Sequence, residues 1–266
     1  MYNENNYCDE TNDMDGTITI FPKKYPPNFQ KKLEKYQTKI VKMIGNLQSS
    51  TDDDDDNWLN DANTVDELLE NAYFIAPQFK AICEQISHEL TRHKHFISFR
   101  LEDSCLIKSK ESLNKKIMRY KTFDVDTFNA VKIIRDAVRA TFVLESPYCI
   151  RAVAECICQK FEADGEAVIF ENIWLKPKPS GYVGVHSIVR MFVPDHEKKK
   201  CVLCEIQIHL REIYLVKEEQ HAFYKQSISD NLYSLDDNKI SKILYFNAMK
   251  KICKNTKQQQ LLPKIL

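Results

Sequence analysis

The segment Lys176-Pro-Lys-Pro-Ser-Gly-Tyr-Val-Gly-Val-His-Ser187 carries two lysines, a tyrosine, a histidine and two of the five glycines of this 266-residue chain. Glycine serves where the backbone must turn sharply or let another group approach closely, and Gly181 and Gly184 are placed to do that. Lysine neutralises phosphate, an aromatic ring offers a flat stacking surface, and imidazole adds a polar contact. Together these residues describe a nucleotide-binding loop.

Glu205-Ile-Gln207 follows it. On a strand over Val202–Leu210, the two-residue period puts Glu205, Gln207 and His209 on one face and Cys204, Ile206, Ile208 and Leu210 on the other. The second face is apolar and belongs in a core, so the first looks into solvent or a cleft. A surface strand would carry the same three polar residues without any chemistry. Arg135-Asp136 opens another strand, Ala137–Leu144. An Asp at the head of one strand and a Glu inside another can meet over one cleft, where they repel unless a cation joins them. Mg²⁺, a hard ion that takes oxygen ligands and substrate phosphates, is the usual solution. With Lys and Arg clamping phosphates, the constellation describes metal-assisted phosphoryl transfer. Lys108, Ser112 and Lys116 stand at i, i+4 and i+8 and share one face of a basic helix over 107–121. That column could grip a polyphosphate or be a solvated basic face.

These residues need a scaffold. The apolar spacing predicts an amphipathic helix over 28–48 and, behind the capping box Thr64-Val-Asp-Glu67, a helix from about 65 to 92 with a break at Pro77. His88, His93 and His95 gather at its end as helix-terminal histidines. A helix near 125–134, the strand 137–144, a helix over 148–162, a turn at Asp164-Gly165, strands at 167–175, 185–193 and 201–210, and helices near 211–227 and 238–254 complete the order. Residues 1–25 are polar and expected to be disordered, and the aspartate run 52–56 reads as a linker. The fold class is α+β, with a mixed sheet of about five strands flanked by helices. Three regions are expected: 1–60, a flexible segment with one amphipathic helix and the acidic linker; 61–230, the α+β domain; and 231–266, a helix and basic tail.

Composition narrows the function. Thirty-eight basic and thirty-eight acidic residues cancel, which speaks against a general nucleic-acid coat. No stretch reaches the roughly 18 apolar residues of a membrane span, and the N-terminus lacks signal-peptide order, so a cytoplasmic location is expected. Nine scattered cysteines read as reduced thiols. Cys201 and Cys204 have zinc-ligand spacing, but no second pair completes a tetrahedral site, and they read as strand cysteines.

Taken together, the segments resemble the synthetase domain of RelA/SpoT-type alarmone synthetases over about residues 100 to 226. Pro177-Lys-Pro-Ser-Gly-Tyr-Val-Gly-Val-His186 is similar to that family's PKPNGYxSxH, and Glu205-Ile-Gln-Ile208 to its EIQIRT. Lys108…Ser112…Lys116 matches its K-x3-S-x3-K, Asp136 stands at its Mg²⁺ aspartate, and His221-Ala-Phe-Tyr-Lys225 resembles the stretch after its catalytic strand. The resemblance implies a nucleotidyltransferase-like fold and transfer of the β,γ-pyrophosphate of ATP to the ribose 3′-hydroxyl of GDP or GTP. It implies that Asp136 and Glu205 hold Mg²⁺, with Glu205 also helping to deprotonate the hydroxyl. It gives Lys108 and Lys116, with Ser112, the ATP phosphates, and Tyr182 the acceptor base. His186 and Gln207 would position phosphate and ribose, and Lys178 would sit by the acceptor phosphates. Two arginines that flank adenine in typical members are replaced by Leu106 and Thr141, with Arg139 as a shifted substitute, and His209 stands where the family has Arg. No His-Asp dipeptide exists for the family's hydrolase site, so a synthetase-only chain is expected. A toxin-like relative acting on tRNA 3′ ends or adenine nucleotides, and a non-catalytic nucleotide sensor, are the alternatives. Homo-oligomerisation through the helices at 28–48 and 238–254 is a further expectation; they could equally cover the core.

Overall fold

The computed structural model describes residues 8–12, 18–22, 28–47, 58–92, 99–101, 107–121, 125–163, 167–178, 180–193, 200–229 and 235–260. The acidic run, His93, His95 and the turn at Asp164-Gly165 lie outside them. The elements are β1 (Cys8–Asn12), β2 (Ile18–Pro22), α1 (Phe29–Ile44), α2 (Val65–Arg92), β3 (Phe99–Leu101), α3 (Lys110–Lys121), α4 (Thr127–Lys132), β4 (Val138–Leu144), α5 (Tyr148–Ala163), β5 (Val168–Asn172), β6 (Val185–Val193), β7 (Lys200–Leu210), α6 (Arg211–Ser229) and α7 (Leu235–Gln260). Among the described residues, no helix is long and apolar enough to cross a membrane. The chain divides into two units. One holds Met43–Ile173 and Gly184–Arg211, the other Met1–Lys42, Trp174–Val183 and Glu212–Leu266.

The first unit carries a five-stranded mixed sheet in the order β3-β4-β7-β6-β5. Only β4 and β7 run parallel, with Arg139 opposite Glu205 and Thr141 opposite Gln207; β6 is antiparallel to β7, with His186 opposite Gln207. The fold class is therefore α+β, as expected. Strand β3, three residues paired antiparallel to β4, is too short for its period to be read.

One face of β4 and β7 is apolar and fully buried: Val138, Ala140, Phe142 and Leu144 beside Val202, Cys204, Ile206, Ile208 and Leu210. α2 and α5 pack on each other and on the sheet, with the Phe79 and Phe161 rings 6.0 Å apart. On the other face, Ile188, Cys201 and Leu203 gather under Trp58. Cys201 and Cys204 are buried strand thiols, as their spacing on an apolar strand suggested.

Two local expectations are corrected. α2 runs through Pro77 without a break. Pro77 falls on the exposed side beside Tyr73, Phe74 and Gln78, where the carbonyl that loses its amide partner can meet water. The Thr64 half of the capping box forms, with Thr64 Oγ1 accepting from Glu67 N at 3.1 Å, while Glu67 Oε2 accepts from Asn63 N, one residue ahead of the cap, at 2.9 Å. Within 1–25, expected to be disordered, β1 and β2 pair antiparallel, and Thr19, Ile20 and Phe21 are strand-forming residues.

In the second unit, α1 and α7 pack through Phe29 and Tyr36 against Phe246, with ring centroids 5.0 and 5.7 Å apart. The loop preceding β6 makes a tight turn in which Gly181 N donates to Lys178 O at 2.8 Å. Gly181 has φ +85°, and a Cβ there would lie 3.1 Å from the Lys242 backbone on α7. The close approach that requires glycine is thus to a helix of the same unit. The Ser241 hydroxyl fixes the turn at 2.7 Å from Ser180 O.

Candidate active site

The first unit places one carboxylate just ahead of β4 and another inside β7, the strand parallel to it. Asp136 stands in the short connection between α4 and β4. This connection is fixed by Lys108 N, which donates to Ala137 O at 2.9 Å, and by an isolated bridge between Ile107 and Val138. Glu205 lies inside β7, one residue beyond the start of its pairing with β4 at Cys204–Val138.

Asp136 is clasped by two ammonium groups. Lys116 Nζ lies 2.7 Å from Oδ1, and Lys108 Nζ bonds Oδ2. The three side chains are 13%, 25% and 17% exposed respectively. Burial alone would raise the Asp136 pKa, but the two lysines outweigh it and hold the carboxyl below its usual value. The lysines respond oppositely. Burial pulls both down; Asp136, Tyr120 and Glu205 together lift Lys116 above its ordinary value, whereas Lys116 and Arg139 crowd Lys108 and leave it below. The predicted Lys–Ser–Lys column is modified: Lys108 precedes α3, whose first turn is capped by Ser109 Oγ accepting from Ser112 N at 3.3 Å. Lys116 reaches Asp136 from two turns inside the helix, and Ser112 is exposed.

Glu205 is 8% exposed, Gln207 6% and His209 0%. The polar face of β7 is therefore covered, and the surface-strand alternative is removed. His186 Nδ1 donates to Glu205 Oε1 at 3.0 Å, and Gln207 Nε2 donates to Oε2 at 2.6 Å. Gln207 Oε1 then faces His209 Nε2 at 3.4 Å, and the two imidazoles meet edge to face at 6.3 Å. Burial pushes the Glu205 pKa up and Asp136 adds to that push, but His186 and Gln207 win and keep it below the ordinary glutamate value. The charge of Asp136 is thus felt at Glu205. Glu205 is ionised at neutral pH, the state required of a base or a metal ligand.

Among the described residues, no group of three or more His, Cys, Asp and Glu is gathered. Two carboxylates are nevertheless the set that Mg²⁺ uses when phosphates and water complete its shell, and Asp136 and Glu205 fit it: hard oxygen donors, ionised and mutually repelling. When bound there, the ion would neutralise charge developing on phosphate oxygens.

Of the residues singled out by sequence, Lys108, Lys116, Asp136, His186, Glu205 and Gln207 form this cluster, and Arg139 lies beside it in register with Glu205. Lys178 is exposed and Tyr182 half-buried; both belong to the other unit, where the Tyr182 ring meets Tyr245 edge-on at 6.1 Å. The side chains of His221–Lys225 lie outside the described residues. His209, Tyr120 and Ser109 were not picked out as site residues. Counting in twos from Glu205 already reaches His209, whereas Tyr120, with Lys116 Nζ 5.8 Å from its ring, carries no comparable signal.

No family model matches the chain, and no curated protein matches it. Solved structures do. The small alarmone synthetase 2 from Bacillus subtilis superposes with a TM-score of 0.57 at 20% identity, covering 73% of this chain and 97% of that one. The small alarmone synthetase 1 from Bacillus subtilis, bound to its product pppGpp, gives 0.59 at 14% identity over 75% and 98%. A GTP pyrophosphokinase family protein from Streptococcus pneumoniae gives 0.56 at 16% identity over 73% and 92%. The chain has the fold of the stand-alone small alarmone synthetases.

Proposed function

We propose that this chain is an ATP:GTP/GDP 3′-pyrophosphotransferase that makes (p)ppGpp, with Mg²⁺ held by Asp136 and Glu205. The observation that carries the reading is a pair of ionised, largely buried carboxylates, one just ahead of β4 and one inside the parallel strand β7, each held by its own set of donors. A pocket that only binds phosphate gains nothing from two mutually repelling carboxylates, whereas phosphoryl transfer through a hard cation requires them. In this reading Lys108 and Lys116, which pair with Asp136, turn to the donor phosphates. Glu205 accepts the proton of the attacking 3′-hydroxyl, and His186 and Gln207 keep its oxygens aimed. Arg139, beside Glu205 on the neighbouring strand, adds positive charge on the donor side. Tyr182 takes the acceptor base and Lys178 its phosphates, as the resemblance implies. The reaction belongs to the cytoplasm, where both nucleotides are abundant.

The test offers purified protein, Mg²⁺ and γ-labelled ATP with GDP, GTP, AMP or bulk tRNA in separate tubes. Label is expected on GDP or GTP. Label on tRNA or AMP alone would replace the acceptor with that of a toxin-like enzyme, and nucleotide binding without transfer in any tube would mean a sensor.

A further inference from the structure

β7 extends beyond its partner. Its pairing with β4 begins at Cys204 opposite Val138, so the backbone groups of Cys201 and Leu203 on that side have no strand beside them. A short segment ahead of α2 fills the place. Asp61 N donates to Cys201 O at 3.0 Å, and Asp61 Oδ2 accepts from Cys201 N at 2.6 Å. Asn60 Oδ1 accepts from Leu203 N at 2.8 Å.

The same Asn60 side chain reaches the other way. Its Nδ2 donates to Lys132 O at 3.0 Å and Ile134 O at 2.5 Å, with Val131 O further off at 3.4 Å. Its backbone N also donates to Lys132 O, at 2.8 Å. Asn60 is 1% exposed, and each polar atom of its amide is used. Its two attachment points are not arbitrary: Leu203 lies two residues before Glu205, and Ile134 two residues before Asp136. Between Ile134 and the first paired residue of β4 the chain has no strand partner on this side, so the amide is what ties that connection to β7.

We propose that Asn60 is a positioning residue that sets the separation of Asp136 and Glu205 by tying the α4–β4 connection to β7. The inference rests on the pyrophosphotransferase reading. A serine hydroxyl has a single donor and a shorter reach, so it cannot make the full set of contacts by which this amide spans the two segments, and misplacement of reacting groups by about 1 Å can cost on the order of 100-fold in rate.

The test compares wild type, Asn60→Ala, Asn60→Ser and the core variant Phe161→Leu, which lowers stability from the α2–α5 packing. Three quantities are read: the fraction folded, amide exchange at Leu203, and kcat and KM for labelled transfer per folded molecule. Asn60→Ala is expected to expose the Leu203 amide to exchange and to lower kcat about 100-fold with KM within threefold, the range expected for lost alignment rather than lost binding. Asn60→Ser, which keeps one hydrogen bond, should fall between and serves if the alanine variant does not fold. Phe161→Leu should keep the wild-type rate per folded molecule. A folded Asn60 variant with a deprotected Leu203 and kcat within threefold of wild type would overturn the inference. Absence of transfer by wild type would instead remove the pyrophosphotransferase reading, and this inference with it.

Discussion

Glu205→Gln should lower pyrophosphate transfer by at least about 10³-fold, because it removes both the base and one metal ligand while keeping the shape. The fold should survive, for a reason visible in the hydrogen bonds. Glu205 accepts from His186 and Gln207, and Gln207 in turn accepts from His209. A glutamine at 205 presents one donor and one acceptor. Gln207 can turn its amide over to accept from the new NH₂ and donate to His209 Nε2, provided His209 carries its proton on Nδ1. The stability change should stay within about 1 kcal/mol. Thermal melts and labelled transfer on the same preparation check both halves. Full turnover by the variant would end the assignment of Glu205 as a catalytic residue.

Asp136→Asn is expected to differ. It should abolish transfer and also destabilise the protein by about 3 kcal/mol at neutral pH, because it leaves two partly buried ammonium groups facing each other. Its pH dependence distinguishes that cause from a general loss of packing. Without the carboxylate both lysines bind protons less readily folded than unfolded, so the variant gains stability relative to wild type as pH rises toward the lysine range. At acid pH the wild type has a dependence of its own, of the same sign. Asp136 and Glu205 both titrate below their ordinary values of 3.8 and 4.5, so the unfolded chain binds more protons and stability falls as pH drops through that range. Asp136→Asn should flatten part of that acid loss. Urea unfolding across this pH range measures both limbs, and a gap from wild type that does not change with pH would contradict the electrostatic account.

Much of the site was legible because strands encode it with a two-residue period. Glu205, Gln207 and His209 could be placed on one face from spacing alone, and the apolar residues between them marked that segment as a strand. Burial of the polar face was not legible, since alternation alone does not distinguish a covered face from a solvated one. Lys108 shows a different limit. Its spacing from Ser112 and Lys116 suggested one helix face, but Ser109 caps α3 and leaves Lys108 outside it, bound to Asp136 by a separate route. Pro77 misled because its effect depends on which side of the helix it occupies. Asn60 had no local signal at all. It lies 143 residues from Leu203 and 74 from Ile134, and only the fold brings the three together. The hairpin β1–β2 was missed because the polar residues around it dominate the composition.

The central claim is that two phosphates move together onto a guanine nucleotide. Its most direct test is a time course with β-labelled ATP and GTP or GDP in Mg²⁺, with all products resolved. The account predicts AMP and a labelled guanine nucleotide bearing a new 3′-diphosphate, formed in equal amounts, and neither with Glu205→Gln. ADP with a singly phosphorylated acceptor, or ATP left intact beside every guanine nucleotide, would contradict it.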